Sequence, residues 1–331
     1  MDDPPPPLDP SLAPVLLFDC GRGGVDPDEA TDDARLVYSI REKQVLLATG
    51  LDIFIDRVSW ITSQGWVLAL DPDTRDVALC DPFTSRIVHL PSDPDGLLAA
   101  SSDDTTCVLS THRPTTDTAG CVVLVIHRTE PTFCYCRPGS SSRWLRHEYQ
   151  PELLVNRDSD IVIDRMAELT AVGGMFYTHI FWEYKLVKLE FSPDLVLSCS
   201  PVTDREFPAG STFAHSCLVE SCGDLFMVHL YLTQITPTIM RVAVQKLDCS
   251  SSTFVRVAEL GNNTVFFVCE GQFGASVAAD VFGSKPNCIY FLYSDDKGLY
   301  SYDMEHGTTT LHNPGDYVPD CMQPILLMPA T

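Results

Sequence analysis

The sequence predicts an all-β fold built from repeated units, and three observations predict it. Apolar runs are short, rich in Val, Ile, Phe and Tyr, and broken by clusters of Gly, Pro, Asp and Ser, which is the pattern of strands and turns. A sustained 3.6-residue apolar stripe is missing; the best candidate, 160–172, opens on Ile161-Val162-Ile163 and suits a strand equally well. The third observation is a repeat.

Four segments share one order of parts: a polar turn often with Gly, an apolar run, a short gap, then a second apolar run ending near an acidic turn. They are Gly65-Trp66-Val67-Leu68-Ala69-Leu70 with Val77-Ala78-Leu79-Cys80-Asp81; Gly174-Met175-Phe176-Tyr177 with Lys185 to Glu190; Gly223-Asp224-Leu225-Phe226-Met227-Val228 with Val242 to Asp248; and Asn287-Cys288-Ile289-Tyr290-Phe291-Leu292 with Gly298 to Asp303. A weaker unit runs from Cys121 to Ile126 and on through Phe133-Cys134-Tyr135-Cys136. With starts at 66, 121, 175, 225 and 288, the spacings are 55, 54, 50 and 63. Four-stranded propeller blades repeat at ~40–50 residues, so these spacings suit blades with longer loops. A blade cannot bury both its faces alone, so such units stack around an axis and close. The strands near Leu36 to Leu47 add a further unit, and the two chain ends close one blade together. The expectation is a single kelch-like β-propeller of about six (five to eight) four-stranded blades over residues 12–331. A two-sheet sandwich is the alternative, but it leaves the recurring aromatic-plus-acidic hairpin without a reason.

Residues 1–11 are expected to be a disordered Pro/Asp-rich end that builds neither helix nor core, and about 19–33 an acidic loop. Through Asp33 the chain carries nine acidic residues against Arg22 alone.

Composition bounds the function classes. The chain has 331 residues with a net charge of −23 and a pI near 4.5. That charge repels phosphate backbones and anionic lipid, which argues against nucleic acid and membrane surfaces as partners. No stretch approaches the ~18 apolar residues of a membrane span, and Met1-Asp2-Asp3-Pro4-Pro5 is no signal peptide. Thirteen cysteines, an odd number, fall largely inside apolar runs, where they read as small buried hydrophobes. A reduced, cytoplasmic or nuclear protein is expected.

The chain carries no complete catalytic or cofactor signature. Gly21-Arg22-Gly23-Gly24 neither completes a dinucleotide fingerprint nor opens a helix, and no Walker motif exists. Cys134-Tyr135-Cys136 puts two thiols on one strand face, and Cys217 and Cys222 stand near His215, but neither set completes a zinc site. Gly274-Ala275-Ser276-Val277-Ala278 lacks the last Gly of a nucleophile elbow. Asp71, Asp81, Asp248 and Asp303 fall at strand ends before turn residues, where Asp caps the turn. No catalytic residue, cofactor or metal is assigned. Among Trp60, Trp66, Trp144 and Trp182, Trp66 lies mid-strand and reads as core. Trp182, in the turn Phe181-Trp182-Glu183-Tyr184, is the candidate partner anchor, flanked by Phe181 and Tyr184.

Several blocks, in order, resemble the plant KIB-type β-propeller family, the F-box-associated domain of plants. They are Leu12-Ala13-Pro14-Val15-Leu16-Leu17-Phe18; Val37-Tyr38-Ser39-Ile40; Gly65-Trp66-Val67-Leu68 with Asp81-Pro82-Phe83-Thr84 and Leu90-Pro91; Leu218 to Leu225; Phe254 to Gly261; Asn287 to Phe291; and Pro324-Ile325-Leu326-Leu327-Met328-Pro329. The resemblance implies a propeller with a protein-binding role. Many relatives carry an F-box of roughly 40 helical residues and resemble substrate receptors of ubiquitin ligases. Here a Pro-rich stub precedes the first strand, so direct docking to a Skp adaptor is not expected. The leading expectation is a non-enzymatic module that binds an unidentified protein partner. One alternative is a propeller hydrolase with carboxylates in its central channel. Another is a scaffold that competes with F-box-bearing relatives for their targets.

Overall fold

The structure is a computed structural model. It describes residues 8–18, 35–48, 51–54, 56–98, 104–115, 121–149, 166, 168–180, 185–191, 195–201, 211–233, 239–269, 273–292, 298–312 and 324–330. Six sheets form a ring, a six-bladed β-propeller. From the axis outward, blade one is Ile325–Leu327 (β25), Val15–Phe18 (β1), Arg35–Ser39 (β2) and Gln44–Ala48 (β3). Blade two is Val58–Ile61 (β4), Val67–Leu70 (β5), Val77–Cys80 (β6) and Ile87–His89 (β7). Blade three is Thr105–Leu109 (β8), Val123–His127 (β9), Thr132–Cys136 (β10) and Leu145–Glu148 (β11). Blade four is Leu169–Val172 (β12), Met175–Ile180 (β13), Lys185–Phe191 (β14) and Leu195–Pro201 (β15). Blade five is Ser211–Ser221 (β16), Asp224–Thr233 (β17), Ile239–Asp248 (β18) and Thr253–Val257 (β19).

The sixth blade departs from the expected four strands. It holds Phe273–Ala278 (β21), Thr264–Cys269 (β20), Cys288–Leu292 (β22), Leu299–Asp303 (β23) and Thr308–His312 (β24), in that order from the axis. The chain enters at β20, turns inward to β21, crosses through the one-turn helix Ala279–Phe282 (α1) and returns as β22, parallel to β20. The additional strand explains the widest repeat spacing, 63 residues between the units at 225 and 288. Among the described residues no helix is long and apolar enough to cross a membrane.

Position within the blade decides how each strand reads. Middle strands are covered by a neighbouring blade on both faces, so β5, β9 and β22 are buried at almost every position and read as continuous apolar runs. Outermost strands face water: β7, β11 and β24 are largely exposed.

Among the described residues, six hydrophobic clusters hold the ring, one at each blade–blade interface. Leu16, Phe18, Phe267 and Tyr290 join blades one and six; Val15, Leu17, Val67 and Phe83 join one and two. Trp60, Leu68, Cys107 and Trp144 join two and three, and Leu124, Phe133, Phe176 and Leu189 join three and four. Leu186, Leu218 and Met227 join four and five, and Phe226, Val244, Phe266 and Phe291 join five and six. Closure comes from the two ends of the chain, as the sequence predicts: Leu326 on β25 pairs with Leu16 on β1, and both are buried. Closure also excludes the sandwich.

The expectation for residues 1–11 needs correcting in part. Leu8 is 3% exposed within the blade one–two cluster, its N–H donates to the Pro82 carbonyl, and Pro10–Leu12 form a single 3-10 turn capped by Asp9. Proline forbids a long helix, but it suits the first turn of a short one, and the apolar Leu8 follows the prolines into the core. The predicted acidic loop at 19–33 lies outside the described residues.

Candidate functional site

The inner strands run toward the same face of the ring, and in blades two, four and five short turns there carry the chain to the second strands. Cys222 and Gly223 form a two-residue loop with φ of 53° and 84°, and Ser221 pairs with Asp224 across it, a turn of the primed type that tight hairpins require. Blade four repeats the device with Gly173 and Gly174, and blade two turns through Thr62 to Trp66. At Gly65, φ is +85° and a Cβ would lie 2.5 Å from the backbone of Pro329 and Ala330. Only glycine lets the closing segment cross this turn.

The turns of blades two and five, with His112 after β8 and the strands β20 and β21, border a cavity of about 340 Å³ at the mouth of the central channel, lined by Gln64, His112, Glu220, Cys222, Asn263 and Ser276 among others. Glu220, at the end of β16, accepts from the Gly223 N–H at 2.8 Å, and its second oxygen lies 3.3 Å from His112 Nε2. Burial alone would raise the Glu220 carboxyl, but the hydrogen bonds from His112 and the Gly223 N–H outweigh it and hold the group below the usual carboxylate range. His112 follows β8, so the pair ties blade three to blade five. The loop bearing it is anchored from blade two, where buried Trp66 donates its indole N–H to the His112 carbonyl at 3.1 Å. Gln64 accepts from the Leu109 N–H, and Ser276 Oγ donates to the Glu220 carbonyl at 2.9 Å. Blades two, three, five and six therefore meet here. Glu220 is the one carboxylate among the described residues lining the cavity.

The turn aspartates and several other polar clusters are engaged within the chain. Asp71, Asp81, Asp248 and Asp303 cap turns as read: Asp71 accepts from the N–H groups of residues 73 and 74, Asp81 from Phe83, Asp248 from Ser250, and Asp303 from Glu305 and His306. Asp81, Asp248 and Asp303 occupy one equivalent place, the turn into an outermost strand. Hydrogen bonds from Ser250 and Ser251 lower the Asp248 carboxyl to about 2. Asp303, Glu305 and His306 are close enough to hold a cation, but Lys285 Nζ sits 2.9 Å from both carboxylates and supplies that charge. Ser216, His229 and Gln245 line up across β16, β17 and β18, with Ser216 Oγ 2.7 Å and Gln245 Oε1 3.2 Å from the imidazole. This imitates a catalytic triad, yet Ser216 and His229 are buried, so no substrate reaches the hydroxyl. His215 lies 3.4 Å from Glu168.

The cysteines follow the core reading: Cys80, Cys107, Cys121, Cys134, Cys136, Cys217, Cys269 and Cys288 are buried free thiols, and burial pushes Cys121 and Cys134 up to about 11. Cys217 is buried while Cys222 is exposed on the mouth turn, so these two do not make a pair. Trp60, Trp66 and Trp144 are all buried at the blade two–three interface, where the indoles of Trp60 and Trp144 donate to Thr105 Oγ1 at 2.6 Å and the Pro91 carbonyl at 2.8 Å. Phe181, Trp182 and Tyr184, the anchor singled out from the sequence, lie outside the described residues. Exposed Leu47, Ile87, Leu145, Val196, Val255 and Leu311 fall one to each outermost strand, spaced around the rim rather than gathered into a patch.

Sequence reasoning missed the mouth residues. Glu220 and His112 are 108 positions apart, and no local pattern joins them. The usable signal was the turn glycine of the repeat: Gln64 and Cys222 immediately precede Gly65 and Gly223.

Comparison with known proteins agrees with this architecture. The pattern of the KIB1-4 beta-propeller matches residues 37–313. The chain belongs to that family. A protein of Arabidopsis thaliana, At3g25750, named as a candidate F-box protein, is 31% identical over 183 residues, covering 54% of this chain and 46% of the relative. The chain thus spans about half the length of the curated relative it matches. Among solved structures, a functionally unknown protein from Desulfotomaculum acetoxidans DSM 771 is similar at 10% identity and a TM-score of 0.45, over 95% of this chain and 99% of that one. Kuenenia stuttgartiensis hydrazine synthase is similar at 11% identity and a TM-score of 0.34, over 94% of this chain and 96% of that one. Neither likeness speaks to function.

Proposed function

We propose that this KIB1-4 propeller is a non-enzymatic protein-binding module, acting in the cytoplasm or nucleus, that receives its partner on the face bearing the channel mouth. The observation that carries the reading is the division of labour in the ring. Both faces of the middle strands are spent on packing between blades, while polar side chains from four blades converge on one cavity at the mouth. Among the described residues the cavity offers one carboxylate, bound to a histidine and a backbone N–H, which suits recognition better than glycoside hydrolysis with its paired carboxylates. The relative named as a candidate F-box protein extends the reading to target recognition or scaffolding beside ubiquitin ligases.

Affinity purification of the tagged chain from plant tissue, with mass spectrometry of what co-elutes, tests it. A specific set of proteins is the expected result. Skp and cullin subunits within that set would place the chain in a ligase, and a set without them would make it a scaffold or competitor. No specific protein above an untagged control, together with turnover of a carbohydrate or ester substrate, would overturn the reading in favour of an enzyme.

A further inference from the structure

We propose that the mouth cavity takes a basic side chain, arginine or lysine, presented by a protein partner; the inference rests on the protein-binding reading above. Four observations carry it. Glu220 is the cavity's carboxylate, and each of its oxygens is engaged by one donor, Gly223 N–H on one and His112 on the other. A carboxylate oxygen accepts two hydrogen bonds, so one acceptor position on each oxygen is left for the parallel N–H groups of a guanidinium. No lysine or arginine is among the described residues lining the cavity. At about 340 Å³ the space is at the small end for ligand sites and suits a single long side chain. The hydrogen bonds that hold Glu220 ionised, and the net charge of −23, draw a cation to the mouth and repel an anion.

Cys222 provides the readout, because it lines the cavity and is an exposed thiol, while exposed Cys249 lies in the β18–β19 turn and does not line it. The rate at which neutral N-ethylmaleimide alkylates each thiol of the folded chain is followed by peptide mass spectrometry, with and without argininamide. At ~20 mM, above the dissociation constant of a millimolar ligand, argininamide is expected to slow Cys222 about threefold or more and to leave Cys249 unchanged. Glu220→Gln should abolish the protection. Glu305→Gln, which removes the same charge outside the cavity, should keep it. Thermal melting of each variant checks that it folds. An unprotected Cys222, equal slowing of Cys249, or protection that survives Glu220→Gln would each overturn the proposal.

The two readings fail separately. Partners captured equally by wild type and Glu220→Gln, without argininamide protection, would leave the protein-binding reading standing and remove this one. Protection without any captured partner would leave a cation-binding mouth but remove the protein-binding reading, and with it the protein source of the side chain.

Discussion

Asp93 is 1% exposed, yet it carries a carboxylate. Its oxygens accept from the N–H groups of Leu97 and Leu98 at 2.8 and 3.0 Å, and the Arg75 guanidinium completes the set. A buried ion pair adds little net stability, but removing one partner leaves the other's charge and the backbone donors without compensation. Asp93→Ala is therefore expected to destabilise the protein by about 3 kcal/mol, read as a lowered midpoint in denaturant, whereas Asp73→Ala on an exposed turn should change it little. Glu220 makes the corresponding prediction in pH. Its folded pKa is depressed by the His112 and Gly223 hydrogen bonds, so its stabilising contribution is full above the unfolded carboxylate range and is lost as pH falls through the lower folded value. Glu220→Gln should melt below wild type at pH ~6, and the gap should narrow toward pH ~3; a gap that widens on acidification would contradict this. Legibility at this scale depended on reach. The turn aspartates were readable because a cap acts over two or three residues, whereas the Glu220–His112 pair and the Trp60–Thr105 bond exist only once the ring has closed.

At the scale of elements, strands packed on both faces were the legible ones. β5, β9, β17 and β22 stand out as apolar runs because neighbouring blades cover both their sides, while β7, β11 and β24 carry mixed residues that any loop could hold. The added strand of blade six was not legible, since β20 and β21 read as one more hairpin and only the pairing of β20 with β22 reveals the insertion. β21 carries a second constraint. A Cβ on Gly274 would lie 2.4 Å from the Leu218 carbonyl oxygen and 2.6 Å from Val219 Cγ2, on the neighbouring inner strand β16. Backbone cannot yield as a flexible side chain would, so Gly274→Ala is expected to cost about 1–3 kcal/mol by overpacking. Gly96→Ala, where a Cβ meets only the Arg75 side chain at 3.7 Å, carries strain from its φ of +65° but no such clash and should cost less. Thermal denaturation of the two variants, side by side, distinguishes them.

For the whole molecule, five repeat units with the strands near Leu36 to Leu47 pointed to about six blades within a range of five to eight, and the joining of the two ends by β1 and β25 was readable from the apolar blocks there. The face proposed here for binding was not, because a ring treats its two faces alike until turn chemistry is seen in three dimensions. Closure makes a prediction of its own. Leu326 packs in the blade one–six cluster, and truncating such a residue costs about 2–5 kcal/mol. If the ring unfolds as a unit, Leu326→Ala should lower amide hydrogen-exchange protection in β13 and β17, across the ring, as well as in β1; loss confined to blade one would mean that the blades open independently. The central claim is that partners are held at the channel mouth. Quantitative co-purification should therefore compare the wild-type chain with Ser63→Arg/Ser276→Arg, which fills the mouth, and with Val255→Arg on the rim. All three should fold, and the mouth variant alone should lose the specific partners. Partners retained with the mouth filled, or lost with the rim variant instead, would contradict the account.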